Sequence, residues 1–200
     1  KHELKRDPNG SIAIDPSSGN LSMQEVGQRK AGHLAPNYNM GWNNSISYQG
    51  LTLGFVLSAR VGGLAYSATQ GILDYYGGSK ATADARDNGG VPVNFGKVDA
   101  KKYYQTIATA EGGYGSYYLY SATNVRLQEL SLSYDLPKKW FNNKLNLSIG
   151  LLARNLWMIY CKAPFDPELS ASTSSNYYQG VDYFMLPSTR NIGFNVKVQF

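Results

Sequence analysis

Residues 191–200 read Asn191-Ile192-Gly193-Phe194-Asn195-Val196-Lys197-Val198-Gln199-Phe200, with every apolar side chain at an even number and every polar residue or glycine at an odd one. Strict period-2 alternation marks a β-strand whose two faces meet unlike surroundings. Three further runs repeat it. Leu145, Leu147, Ile149, Leu151 and Ala153 oppose Asn146, Ser148, Gly150 and Arg154. Leu51, Leu53, Phe55, Leu57 and Ala59 oppose Thr52, Gly54, Ser58 and Arg60. Tyr38, Met40, Trp42, Ile46 and Tyr48 oppose Asn39, Gly41, Asn43, Ser45 and Ser47. In a fifth run Val125 and Leu127 are odd but Leu130, Leu132, Tyr134 and Leu136 are even, so a β-bulge is expected near Gln128 and Glu129, because a one-residue slip inverts every later side chain. Each run has about the 9 to 11 residues a tilted strand needs to cross a bilayer.

The connections alternate in length. Only Gln49-Gly50 joins the first pair of runs and a short segment, Pro137 to Asn143, joins the second, whereas 62 residues (61–122) and 32 residues (158–189) separate the others. Outer-membrane barrels have this asymmetry, with tight periplasmic turns and long external loops. The reading divides the chain into an extracellular loop segment (1–37), a strand pair turning at 49–50 (38–60), a long extracellular loop (61–122), a strand pair with a periplasmic turn at 137–143 (123–157), a second extracellular loop (158–189) and a final barrel strand (190–200). Tyr48, Tyr134, Trp140, Phe141 and Phe200 gather at the short-turn edge and Tyr38, Trp157 and Tyr160 at the other, as two interfacial belts would. Five strands are too few to close a barrel, since about eight are needed, so the expectation is a piece of a larger antiparallel transmembrane β-barrel. The same pattern also fits a soluble β-sandwich, such as a carbohydrate-binding module, whose greasy faces pack on each other.

Composition excludes several alternatives. The 200 residues hold 19 Lys plus Arg against 14 Asp plus Glu, a scattered net charge of +5 that reads as a solvated surface and not as a nucleic-acid footprint. One Cys rules out an internal disulfide framework and a multi-thiolate zinc site. No run approaches the roughly 18 apolar residues of a spanning helix, and residues 1–7 lack the apolar region of a signal peptide.

Read together, several motifs resemble the SusC/RagA family of TonB-dependent transporters of Bacteroidetes outer membranes. They are Arg6-Asp7-Pro8-Asn9-Gly10, Leu51-Thr52-Leu53-Gly54-Phe55, Asp74-Tyr75-Tyr76-Gly77, Ala85-Arg86-Asp87-Asn88-Gly89-Gly90, the long stretch from Tyr120 to Pro137 that contains Asn124-Val125-Arg126-Leu127, then Ala153-Arg154-Asn155-Leu156-Trp157 and Asp166-Pro167-Glu168. Ser121, Asp135 and Cys161-Lys162 depart from the family's usual residues. The resemblance implies the C-terminal strands of a 22-stranded barrel with a plug domain and the remaining strands elsewhere in its own chain, in the outer membrane of a Gram-negative cell. It also implies nutrient import energised by TonB through an upstream region, a SusD-like surface lipoprotein as partner, an oligosaccharide or peptide substrate, and Phe200 as an assembly signal read by the barrel assembly machinery. A passive porin would share the strands without the plug.

Thirteen of the 16 Tyr fall in the two long connections. A flat ring with a hydrogen-bonding tip serves packing, a protein interface or a sugar face. Tyr114, Tyr117, Tyr118 and Tyr120, with Tyr177 and Tyr178, are the candidate substrate or partner contacts, the first four taken as surface residues. Ser67 to Tyr76 and Asp99 to Ala108 read as short helices, the second capped by Asp99. Gly77-Gly78-Ser79-Lys80 lacks the earlier Gly of a phosphate loop. No catalytic residue, resident metal or cofactor is expected. Asp7, Asn9, Ser11 and Asp15 read as turn residues, with an external Ca²⁺ site as the alternative. Asp166 and Glu168 are expected to diverge along an extended Pro-containing segment, so the chain is not read as a glycosidase or any other enzyme.

Overall fold

The computed structural model describes residues 2–27, 29–109, 115–142, 144–169 and 179–199. In chain order the strands are β1 (His2–Leu4), β2 (Met23–Glu25), β3 (Tyr38–Tyr48), β4 (Leu51–Val61), β5 (Leu64–Ser67), β6 (Val91–Val93), β7 (Gly96–Val98), β8 (Leu119–Ser121), β9 (Asn124–Asp135), β10 (Asn146–Cys161), β11 (Val181–Asp182) and β12 (Asn191–Gln199). The helices are α1 (Ala68–Tyr76), α2 (Lys80–Asp87) and α3 (Ala100–Ala108). Among the described residues no helix is long and apolar enough to cross a membrane. The chain divides into two units, one of residues 33–64, 121–169 and 185–200 and one of residues 1–32, 65–120 and 170–184.

The first unit is a five-stranded sheet in the order β12-β10-β9-β4-β3, antiparallel throughout. Register carries each apolar residue beside another. Phe194, Leu151, Leu132, Leu53 and Ile46 form one row across all five strands, and Val196, Ile149, Tyr134, Leu51 and Tyr48 the next. The alternate rows are polar: Asn195, Gly150, Ser133, Thr52 and Ser47 lie between those two. The β3–β4 hairpin closes through Gln49 (φ 47°) and Gly50 (φ 84°), the two left-handed residues of a type I′ turn. Gly50 is required twice over, since a Cβ there would sit 2.9 Å from the Asp135 carbonyl oxygen.

The expected slip is present. Val56 pairs with Glu129 and Leu57 with Leu127, leaving Gln128 as the extra residue, and this restores Leu127 and Leu130 to one face. β10 holds two irregularities of its own, at Asn155-Leu156 and at Ile159, and continues to Cys161, beyond the strand end at residue 157 expected from the sequence. Asn155 adopts φ 50°, a left-handed conformation that Asn tolerates.

The second unit packs around α3, whose Ala100, Tyr103, Tyr104 and Ile107 recur at helical spacing and are buried with Leu4, Leu21 and Val98. Asp99 caps this helix and Ser67 caps α1, each side chain accepting the backbone N–H three residues on. β11, β5 and β8 form a small sheet beside α1. α2 was not expected from the sequence; Ser79 caps it through the Thr82 N–H, and Gly77 (φ 75°) ends α1 just before it.

Candidate functional site

The sheet presents two chemically opposite surfaces. On the apolar face, large side chains stand open: Tyr38, Met40, Trp42, Ile46, Tyr48, Leu151, Trp157, Ile192, Phe194 and Val196 are all more than half exposed. An apolar surface this extensive marks contact with lipid or another protein layer. Among the described residues only Asn44, paired with Phe55, interrupts it. The other face makes its own polar pairs: Arg154 to Glu129 at 3.1 Å, Ser47 to Thr52 at 2.8 Å, and Ser148 donating to Asp135 at 2.5 Å. Lumen-facing residues of a barrel have this chemistry. Aromatic rings mark both ends of the apolar face, Tyr48 and Tyr134 in the row beside the tight turn and Tyr160 in the row that holds Met40. Trp140, in the short connection, is also largely exposed.

At the end of the sheet away from the tight turns, the family-like motifs converge on one guanidinium. Arg126 on β9 is buried and grips Asp166 in a bidentate pair, Nη2 to Oδ1 at 2.7 Å and Nη1 to Oδ2 at 3.2 Å. Glu168 approaches Nη2 at 3.3 Å. Asn124 accepts from Nε, and Asn155 accepts from Nη1 while donating to the Thr189 carbonyl. The left-handed bulge at Asn155 is what turns this amide toward Arg126, so the irregularity in β10 serves the cluster. Burial alone would raise the Asp166 carboxyl, but hydrogen bonds from Arg126, the Glu168 backbone N–H and Ser188 bring it below the ordinary value. The expectation that Asp166 and Glu168 diverge is therefore corrected. The turn at Pro167 brings both carboxylates onto one cation, and with their oxygens held there the pair is a strap between loop and wall, not an acid–base couple.

In the other unit the tyrosines divide. Tyr118 is 1% exposed and donates its hydroxyl to the buried Asp74 carboxylate at 3.1 Å, which corrects its expected surface position. Asp74 also accepts from Gln70 at 2.8 Å. Burial first, and then the Asp74 charge, push the Tyr118 hydroxyl far above its ordinary value, so it stays a donor at all working pH. Burial likewise raises Tyr104 to about 12. Tyr117 packs edge-to-face on Tyr118 with centroids 5.1 Å apart and remains partly exposed, and Tyr120 is half-buried. Tyr114, Tyr177, Tyr178 and Phe200 lie outside the described residues. Tyr118→Phe is expected to cost about 1–3 kcal/mol locally, because Asp74 stays buried with one donor fewer; hydrogen exchange of α1 amides should speed up while β4 and β9 stay unchanged.

The acidic turn residues are engaged locally. Asp7 accepts the backbone N–H groups of Asn9 and Ser11, and Ser18 and Ser17 hydroxyls hold the Asp15 carboxyl down at about 2. Asp182 accepts from Ser67 at 2.7 Å.

No family model matches the chain. A TonB-dependent receptor P3 of Formosa agariphila is 25% identical over 97% of the chain. Two solved structures share the fold: the RagAB peptide importer in a closed-closed state (TM-score 0.61, 20% identity, 93% of this chain) and the RagAB peptide transporter (TM-score 0.60, 20% identity, 92% of this chain). The chain spans about a fifth of each relative's length, 19% of the receptor and 20% of each transporter chain. These relatives are a receptor and transporters, not enzymes. An antiparallel wall with one greasy and one polar face, tight turns alternating with long connections, and similarity to a TonB-dependent receptor along nearly its whole length identify this chain as a β-barrel segment that resembles SusC/RagA-like TonB-dependent transporters.

Proposed function

We propose that the protein containing this chain is an outer-membrane active importer of nutrients, taking up oligosaccharides or peptides with energy from TonB and working with a SusD-like lipoprotein over its outer mouth. The observation that carries this reading is the two-faced sheet, whose apolar rows suit lipid and whose polar rows suit a wet lumen. In this reading the Gln49-Gly50 turn is periplasmic and the helical unit extracellular. The RagAB neighbours, named for a peptide importer, support the peptide alternative by likeness. Tyr117 and Tyr120 are the remaining described candidates for lid or substrate contact.

The test is uptake of labelled oligosaccharides and peptides by cells with and without the full gene, and with and without TonB. Active import predicts that uptake of one substrate class is lost in both deletions. Flux that needs the gene but persists without TonB would assign a passive porin instead. No gene-dependent uptake of either class would overturn the import reading.

A further inference from the structure

The helical unit holds a cleft of about 350 Å³ lined by residues of α1, α2 and α3. Its walls are two helical rungs: Thr82 and Arg86 on α2, and Lys101 and Gln105 on α3, each pair one turn apart and therefore on one face of its helix. Tyr75 and Tyr76 close one end, edge-to-face with centroids 5.1 Å apart, and the Tyr76 ring is 80% exposed. Arg86 donates Nη1 to the Gly77 carbonyl at 3.0 Å, which fixes the guanidinium at the rim with its other donors open. Lys101 and Gln105 side chains make no polar contact among the described residues. The one acid in the lining, Asp74, is buried, with its oxygens held by Gln70 and Tyr118.

We propose that this cleft binds a carboxylate-bearing oligosaccharide, with the uronate carboxylate between Arg86 and Lys101, Gln105 on ring hydroxyls and Tyr76 against a sugar face. Two cations that form no salt bridge with the one acid of the lining, Asp74, select an anion, and Arg offers a carboxylate its planar fork. An exposed flat ring beside an amide suits a saccharide, which pairs apolar faces with polar edges, more than an extended peptide, which needs a backbone ladder. The proposal rests on the import reading and names a substrate class within it.

The test is titration calorimetry on the full-length protein in detergent, where neither membrane nor energy source enters, so failure here leaves the import reading standing and the uptake assay tests that reading separately. The probes are a galacturonic acid trimer and the neutral galactose trimer of the same linkage. The acidic trimer should bind about tenfold more tightly at low salt, with the preference shrinking as salt rises. Lys101→Gln, on an exposed side chain without structural contacts, should weaken the acidic trimer about fivefold and leave the neutral one unchanged; adding Arg86→Gln should abolish the preference. Equal affinity for the two trimers, or a preference intact in the double variant, would overturn the proposal. A tetraglutamate peptide that binds as tightly and responds to the same variants would reassign the cleft to acidic peptides.

Discussion

Arg126→Met is expected to destabilise the wall by about 3–5 kcal/mol, because it leaves a buried carboxylate without its cation. Arg126 and Asp166 side chains are 5% and 9% exposed and joined by two hydrogen bonds, so water replaces little of what is lost. Glu168, 37% exposed, is rehydrated and adds little. Urea unfolding of the full protein in micelles measures this, and pH gives a second signature. In the wild type the Asp166 carboxyl lies below its ordinary 3.8, so its contribution is complete above that value and is lost only as pH falls through the lower folded value. Between pH 7 and 5 the wild type should therefore be flat in this contribution. In Arg126→Met the main lowering partner is gone and burial dominates, so the carboxyl moves up and the variant should regain stability on acidification. A variant with the wild type's flat profile would show that Asp166 is rehydrated once Arg126 is gone.

Leu132→Arg is expected to cost about 2–4 kcal/mol, whereas Ser133→Arg, one residue along the same strand, should cost under about 1 kcal/mol. Leu132 lies in the apolar row between Leu53 and Leu151, and Ser133 in the polar row between Thr52 and Gly150. The chemical change is nearly the same in both, so the difference isolates what each face meets. Urea midpoints in lipid vesicles give the comparison, and equal costs at the two positions would remove the argument for a lipid face.

What the sequence made legible follows from where parity survives. β3, β4 and β12 carry clean alternation, and the slip at Gln128 was readable because apolar residues stand at odd numbers before it and even numbers after it. The irregularities in β10 were not, since Leu156, Trp157, Met158, Ile159 and Tyr160 are apolar at both parities and erase the phase. α1 and α3 were legible from their apolar residues with the Gly77-Gly78 stop and the Asp99 cap; α2, Lys80–Asp87, carries only alanines as apolar residues and depends on the Ser79 cap. The Arg126 strap joins residues 29 and 40 positions apart, and Tyr118 meets Asp74 across 44. Each part stood in the motifs, but no local rule says that the parts meet. Tyr118 followed a Gly-rich stretch and so looked like a surface residue, while its burial is dictated by a partner on α1.

The claim on which the rest depends is that the five-stranded sheet has one face in lipid and the other in water, with the phase inverted at Gln128. Single nitroxide labels at positions 127 to 135 of the full protein in lipid vesicles test it directly, by comparing collision with oxygen, which concentrates in lipid, and with a polar nickel chelate, which stays in water. The expected profile has oxygen maxima at Leu127, Leu130, Leu132 and Tyr134, with Gln128 and Glu129 as two consecutive minima. Unbroken alternation through 128 and 129 would contradict the bulge, and uniform accessibility along the strand would contradict the two-faced wall itself.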